Sequence, residues 1–313
     1  MSDFVIIPDT SCDLIKPLRE RFGITDYISG LIYFPDGHCE KVDLDWNKYD
    51  PKWFYESMSD KKTLYKTALA PTGDIIEIFE KNLKEGKDIL CITLSSALSG
   101  TFQTCEMVRK QLSEKYPERK IICIDSMRYS TALSMLVIAA ATKKNEGYSL
   151  EETAEFIEKN KHCLHQIGPM DDLFFLCKTG RISNFKAFFG TLMGINPMAD
   201  FNRQGLAQVI GKFKGKKSAL DAVIKYMEKT IENPEKQIIF VAHSNRLAAA
   251  ELLRNMIIDK FSPKEVIIND IGMSCGSSIG PGLCAAFYWG KEISENMETE
   301  QAIMKEIVEN QNN

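Results

Sequence analysis

The sequence predicts an α/β protein of two α/β domains, the N-terminal one around a mainly parallel sheet and the C-terminal one around a mixed sheet. Three observations predict it. Short apolar runs alternate with helical patterns through the first half of the chain. The rhythm changes near residue 160, which sets domains of 1–160 and 161–313. A serine-rich turn, within Ile92 to Thr104, joins an apolar strand to a helix. In doubly wound sheets, ligands sit at that edge.

The elements follow in order. Phe4 to Ile7 reads as the first strand. Tyr27 to Tyr33 reads as another, ended by the turn Pro35-Asp36-Gly37. Asp74 to Lys84 is helical, with Ile75, Ile78, Phe79 and Leu83 on one face. Asp88 to Thr93 is a strand, Thr101 to Leu112 a helix, Ile121 to Ile124 a strand and Ser130 to Lys143 a buried helix. A helix over Leu150 to Asn160 leads out of the first domain. In the second half Leu173 to Phe175 is strand-like, and Met198 to Phe201 pairs with Ala207 to Lys214 around Asn202 to Gly205 as a hairpin. Ser218 to Glu232 and Leu247 to Asp259 are helical, and Gln237 to Ala242 and Glu265 to Ile271 are strands. Gly272 to Gly276 and Gly280-Pro281-Gly282 read as tight loops ahead of an apolar helix, Leu283 to Trp289.

Composition bounds the function. The chain has 313 residues, 44% hydrophobic and 26% charged, which suits an ordinary globular protein with sizeable cores. Its 39 basic and 43 acidic residues are mixed, with net charge −4. Nucleic acid is therefore excluded as an expected partner, because phosphate neutralisation needs a basic face. The start, MSDFVIIPDT, carries no basic segment followed by an apolar one, so no secretory signal is expected. The longest apolar stretch, Ala132 to Ala141, is too short to cross a bilayer. Nine cysteines without a C-x-x-C pair read as reduced thiols, and the cytoplasm is the expected location.

The serine-rich turn points to an anion. A helix start exposes unpaired N–H groups with partial positive charge, and Ser95, Ser96, Ser99 and Thr101 add hydroxyl donors. Helix capping alone would also explain these residues. Asp9 to Asp13 and Asp125-Ser126 end two further strands at the same edge. Other motifs carry less. Gly272-Met273-Ser274-Cys275-Gly276 matches the nucleophile-elbow pattern, but His243, the last histidine, precedes it rather than following it. A hydrolase using Ser274 is thus the weakest reading. His162-x-x-His165 with Asp171 and Asp172 lacks a defined third ligand, so no metal is expected. His243 reads as structural. The stripe of Phe185, Phe188, Phe189 and Leu192 serves a core or an apolar ligand pocket equally well. Lys178 to Ser183 and Gly211 to Lys217 form basic loops suited to an acidic partner. No general base, nucleophile pair or cofactor motif marks the chain as an enzyme by itself.

Taken together, these residues resemble the DegV family of bacterial lipid-binding proteins. The matching segments run almost end to end: DTSCDL, LSSALSGTFQTC, ICIDS, CKTGRIS, INPMADFNRQG, GKFKG, AHSNRLAAAELL and IGPG. The resemblance implies the EDD fold, with one long-chain fatty acid in a tunnel between two α/β domains. It implies a carboxylate held by Ser95 or Ser96, with Ser96 preferred, and by Thr67. The family's His-Thr pair near the head group falls on Ser278 and Ile279, just before Gly280. Some members are fatty-acid-binding subunits of a fatty acid kinase, presenting the carboxylate to a separate ATP-using acyl kinase subunit. Arg181 and Lys214 occupy the places that face that partner, and transient contact with a membrane surface is also expected. No cofactor is implied beyond the bound fatty acid. This chain departs from the pattern at Thr67-Ala68-Leu69-Ala70, where the family has T-S-Q-P. It also departs at Ser278-Ile279, at Lys214 in place of Arg, and over Tyr129 to Ser134. These departures bear on acyl transfer and on the kind of chain bound. The alternative reading is a protein for a small phosphorylated metabolite, with the turn as a phosphate cradle.

Overall fold

The computed structural model describes residues 3–171, 173–182 and 195–312. The Phe185 to Leu192 stripe lies outside the described residues. The chain divides into two compact units: Met1–Lys48 with Leu64–Lys161 and Gly272–Cys275, and Tyr49–Thr63 with His162–Ile271 and Gly276–Asn313. Two excursions thus cross the division expected at residue 160.

In the first unit β1 (Phe4–Pro8), β5 (Asp88–Thr93) and β6 (Ile121–Asp125) form a parallel sheet in the order β1-β5-β6. The central strand β5 is buried at all six positions, which is why DILCIT is apolar without alternation. The helices α3 (Thr72–Lys84), α4 (Thr101–Lys115), α5 (Thr131–Asn145) and α6 (Leu150–Asn160) complete this unit with α1 (Lys16–Phe22). Ile75, Phe79, Cys91, Cys105, Val108 and Leu112 form the core between the sheet and α3 and α4. Helix α5 buries ten residues, so it is apolar all round. A small antiparallel sheet, β3-β2-β4, adds β2 (Leu31–Tyr33), β3 (Cys39–Lys41) and β4 (Lys66–Ala68). The run expected as a strand from Tyr27 is extended only from Leu31; Ile28 makes an isolated bridge to Asp9 instead.

The second unit holds a six-stranded mixed sheet in the order β11-β10-β12-β7-β8-β9. Its strands are β7 (Leu164–Pro169), β8 (Ile195–Phe201), β9 (Ala207–Lys214), β10 (Ile238–His243), β11 (Glu265–Asp270) and β12 (Cys284–Trp289). Only β10 and β11 run parallel; the other pairs are antiparallel. Helices α8 (Lys216–Thr230), α9 (Leu247–Phe261) and α11 (Glu298–Asn312) accompany the sheet, with the short α2 (Pro51–Ser57) and α7 (Phe174–Thr179) and, from Gly276 on, the last part of α10 (Met273–Ile279), whose first residues belong to the first unit. Segment 49–63 belongs here because fully buried Tyr55 donates its hydroxyl to the Ile271 carbonyl at 2.5 Å. The β8–β9 hairpin turns where expected, with Gly205 at φ 76° and the Asn202 side chain accepting from the Leu206 amide at 3.0 Å.

Three expectations are corrected. Leu283 to Trp289 is not a helix: CAAFYW is the inner strand β12, between β10 and β7. A short run buried on both faces has no period to separate the two alternatives. Leu173 to Phe175 is not a strand: FFLCKT makes α7, closed by Gly180 at φ 72°. Met273 to Gly276 is helical, the start of α10, rather than a tight loop.

One buried polar network lies inside the second sheet. His165 Nδ1 is 2.8 Å from Asp200 Oδ2, and Nε2 is 3.0 Å from the Lys291 carbonyl. Both ring nitrogens thus have partners inside the sheet. Asp200 Oδ1 also accepts from the amides of Gln166 and Phe201. His165 therefore serves an internal ion pair. Among the described residues no group of three His, Cys, Asp or Glu side chains could hold a metal ion.

Candidate functional site

The serine-rich turn follows β5, and the amides of residues 94–98 are all engaged by the protein. Asp9, at the end of β1, accepts from Leu94 N at 2.7 Å and from Ser11 N at 2.7 Å. Asp125, at the end of β6, accepts from Ser96 N at 3.0 Å and Met127 N at 3.1 Å. Ser95 N donates to the Arg128 carbonyl at 2.9 Å, Ala97 N to Ser95 Oγ at 3.2 Å and Leu98 N to the Ser95 carbonyl at 3.0 Å. Ser99 Oγ accepts from Thr101 N at 3.3 Å and lies 2.9 Å from Thr101 Oγ1. The backbone N–H groups of residues 94–98 are thus taken by two strand-end carboxylates, the turn itself and a neighbouring loop; the helix start expected to seat an anion lies beyond them, at Thr101. Burial pushes the Asp9 carboxyl up, against the downward pull of the Leu94 and Ser11 bonds.

What the turn still offers is hydroxyl groups. Ser95 is fully buried, and its Oγ accepts from Ala97. Ser96 is half-buried, and among the described residues its hydroxyl makes no hydrogen bond. Thr67, also half-buried, sits opposite Ile32 on β4. That strand leads to the same turn: a Cβ added at Gly100 would lie 3.4 Å from Leu69 Cδ2. The first unit thus brings the segment that follows Thr67's strand, at Leu69, against Gly100 of the turn.

The N-terminal DTSCD segment makes a second polar cluster in this unit. Asp13, at φ 54° and 2% exposed, accepts from Ser130 Oγ and from the Gly272 amide. Burial pushes its carboxyl up to about 7 against those bonds. Ser134 Oγ donates to the Cys12 carbonyl, and Tyr129 OH to the Cys275 carbonyl at 3.2 Å. Ser11 Oγ lies 3.1 Å from Ser274 Oγ. A Ser–Ser contact supplies no base to take a proton from Ser274.

In the second unit Ser278 and Ile279 are buried at the end of α10. Gly280 follows at φ 75°, and a Cβ there would stand 2.1 Å from Phe175 Cδ2, so only glycine fits. The Gly280–Gly282 loop is tied on several sides. Gly282 N donates to the Ser244 carbonyl and Leu283 N to Ser244 Oγ, each at 2.9 Å. Arg246 Nη1 donates to the Gly282 carbonyl at 2.9 Å and lies 3.4 Å from Asp171 Oδ1. Ser244 and Arg246 were not singled out in the sequence; the polar Ser-Asn-Arg break after β10, with Asn245 at φ 56°, is the signal that finds them. His243, at the end of β10, lies 3.5 Å from Asp270; burial lowers the histidine's pKa and raises the aspartate's. Arg181 follows α7 and donates to the Thr179 carbonyl. Its neighbour Ile182 bridges Ala207 at the start of β9, whereas Lys214 ends that strand. At ~3.3 Å per residue the two ends of β9 are about 23 Å apart, so these two basic residues are not side-by-side neighbours.

Fold and site together define a two-unit α/β protein with a hydroxyl-bearing turn at the carboxyl edge of a parallel sheet. A family model described as an uncharacterised protein of the DegV family matches residues 3–291. A DegV domain-containing protein of Clostridium perfringens is 36% identical over 290 residues, covering 93% of this chain and 98% of its own. One from Clostridium acetobutylicum is 30% identical over 91% of this chain and 96% of its own. This chain belongs to the DegV family. Solved structures share the fold. A fatty-acid-binding DegV family protein from Thermus thermophilus superposes with a TM-score of 0.82 at 23% identity, covering 93% of this chain and 100% of that one. The fatty acid kinase B3 protein of Streptococcus pneumoniae, loaded with linoleic acid, gives 0.77 at 21% identity, covering 92% and 99%.

Proposed function

We propose that this protein binds one long-chain fatty acid without catalysing its conversion. The observation that carries this is Ser96. In a turn whose amides are engaged from Leu94 to Leu98, it keeps a half-exposed hydroxyl with no hydrogen-bond partner among the described residues. The carboxylate is the group it would meet, with Thr67 as the second donor and Ser95 holding the turn's shape. Ser278, Ile279 and Gly280 are proposed as further ligand-binding residues. The acyl chain lies in an apolar tunnel, where burial contributes about 0.8 kcal/mol per CH₂. A phosphate cradle is less well supported, because it needs several free amides and those of residues 94–98 are taken.

The bound acid is presented to a separate ATP-dependent acyl kinase subunit, with Arg181 and Lys214 as docking residues on the second unit. The kinase B3 relative supports this partner. The proposed compartment is the cytoplasm, with transient contact at a membrane surface.

Ser96→Ala combined with Thr67→Ala tests the head-group assignment. Each charge-assisted hydrogen bond is worth about 2 kcal/mol, so the double variant binds roughly several hundredfold more weakly. Both side chains are partly exposed, so circular dichroism and the melting temperature stay near wild type. Undiminished co-purification of fatty acid with the double variant would overturn the assignment.

A further inference from the structure

We infer that Cys123 and Cys91 form a peroxide-responsive pair, in which Cys123 is oxidised first and Cys91 closes a disulfide with it. The two residues stand directly opposite each other on the parallel strands β6 and β5. Their side chains share the face of the sheet that α4 covers, where Cys105 packs beside them. All three thiols are free. Neighbouring strands lie about 4.8 Å apart, and a disulfide spans roughly 4.4–6.8 Å between Cα atoms. The strand spacing thus already suits the bond.

The surroundings divide the roles. Cys91 lies on the central strand and is 0% exposed, as is Cys105. Cys123 lies on the edge strand and is half-buried, so an oxidant arriving from solvent meets it first. Arg109, one turn after Cys105 on α4, is close enough to Cys123 for their charges to interact. Glu106 holds that guanidinium in place at 2.8 and 2.9 Å. A cation beside a thiol favours the thiolate, which is the form that attacks a peroxide. The Cys91 thiol is bonded to Cys105 and Cys123, and these bonds, with burial, push it well up. Cys91 therefore stays protonated and idle until its neighbour is oxidised. An accessible thiol with a second thiol poised to resolve it is the usual arrangement of a redox-sensing cysteine.

The steps balance. The Cys123 sulfur attacks one oxygen of hydrogen peroxide, the O–O bond breaks, and a sulfenic acid forms with release of one water. The Cys91 sulfur then attacks the Cys123 sulfur. The S–O bond breaks, and the hydroxyl leaves with the Cys91 proton as a second water. Two thiols are oxidised and one peroxide is reduced. A dithiol reverses the bond by exchange. The link lies two residues before Thr93 and Asp125, where the strands end at the serine-rich turn, and no ligand takes part.

The test treats the purified protein with hydrogen peroxide near neutral pH, blocks remaining thiols with N-ethylmaleimide and maps the peptides without reduction by mass spectrometry. The expected result is a pair of peptides joined through Cys91 and Cys123, absent before treatment and separated by dithiothreitol. Cys91→Ala removes the resolving thiol, so Cys123 should go on to the sulfinic acid. Cys123→Ser should lose the bond altogether. Cys123 is half-buried, so this variant tests the pair even where Cys91→Ala does not fold. Three results would each overturn the pair: Cys91 still free once Cys123 is oxidised, Cys91 joined to another cysteine, or Cys123 untouched while the exposed Cys39 is oxidised.

Discussion

Asp200→Asn lowers the unfolding free energy of the second unit by about 3–5 kcal/mol at pH 7, the usual cost of removing one partner from a buried ion pair. The effect is large because the side chains of His165 and Asp200 are both completely buried, on adjacent strands of one sheet. Losing the carboxylate leaves His165 Nδ1 facing a neutral amide and takes the charged acceptor from the Gln166 and Phe201 amides. The pH dependence has a defined sign. Burial alone would push the Asp200 carboxyl up, but His165 and the Gln166 and Phe201 amides outweigh it and hold it below the ordinary carboxylate range. A depressed native pKa contributes stability above the unfolded value, about 3.9, which is lost as the pH falls through the native value. Urea midpoints should therefore fall below pH ~4 in wild type and less in the variant. Equal midpoints at pH 7 would contradict the account.

Asp13 acts in the opposite direction, and the expected effect is of similar size. Its carboxyl stands at about 7 in the native state, raised by burial against the pull of Ser130 and the Gly272 amide. A raised carboxyl contributes stability that is complete below the unfolded value, about 3.9, and is lost as the pH rises through the native one. A gap of about three pK units corresponds to roughly 4 kcal/mol lost between pH ~4 and ~8. Asp13→Asn cannot titrate, so the stability difference between variant and wild type should move by about that amount in the variant's favour across this range. Denaturant curves at half-unit pH intervals measure it. Parallel profiles would place the proton elsewhere.

The two buried carboxyls mark the line between what was legible in the sequence and what was not. The strand–turn–helix from Asp88 to Lys115 and the β8–β9 hairpin were legible, because turn chemistry and apolar runs are local signals. Strand β12 was not, since a run of buried residues looks alike in either secondary structure. At the candidate site the hydroxyls of Ser95, Ser96 and Thr67 were legible, but their status was not. Only tertiary structure shows that Asp9 and Asp125, which read as further ligand-facing residues, anchor the Leu94 and Ser96 amides. Ser244 and Arg246 brace a glycine loop more than thirty residues further along the chain, a pairing that no periodicity reports.

The most direct test of the central claim is mass spectrometry of the purified protein, first native and then denatured with solvent extraction. The account predicts one fatty acid per chain, held in the native complex and released on denaturation. Bare protein that also fails to take up added palmitate or oleate would contradict it.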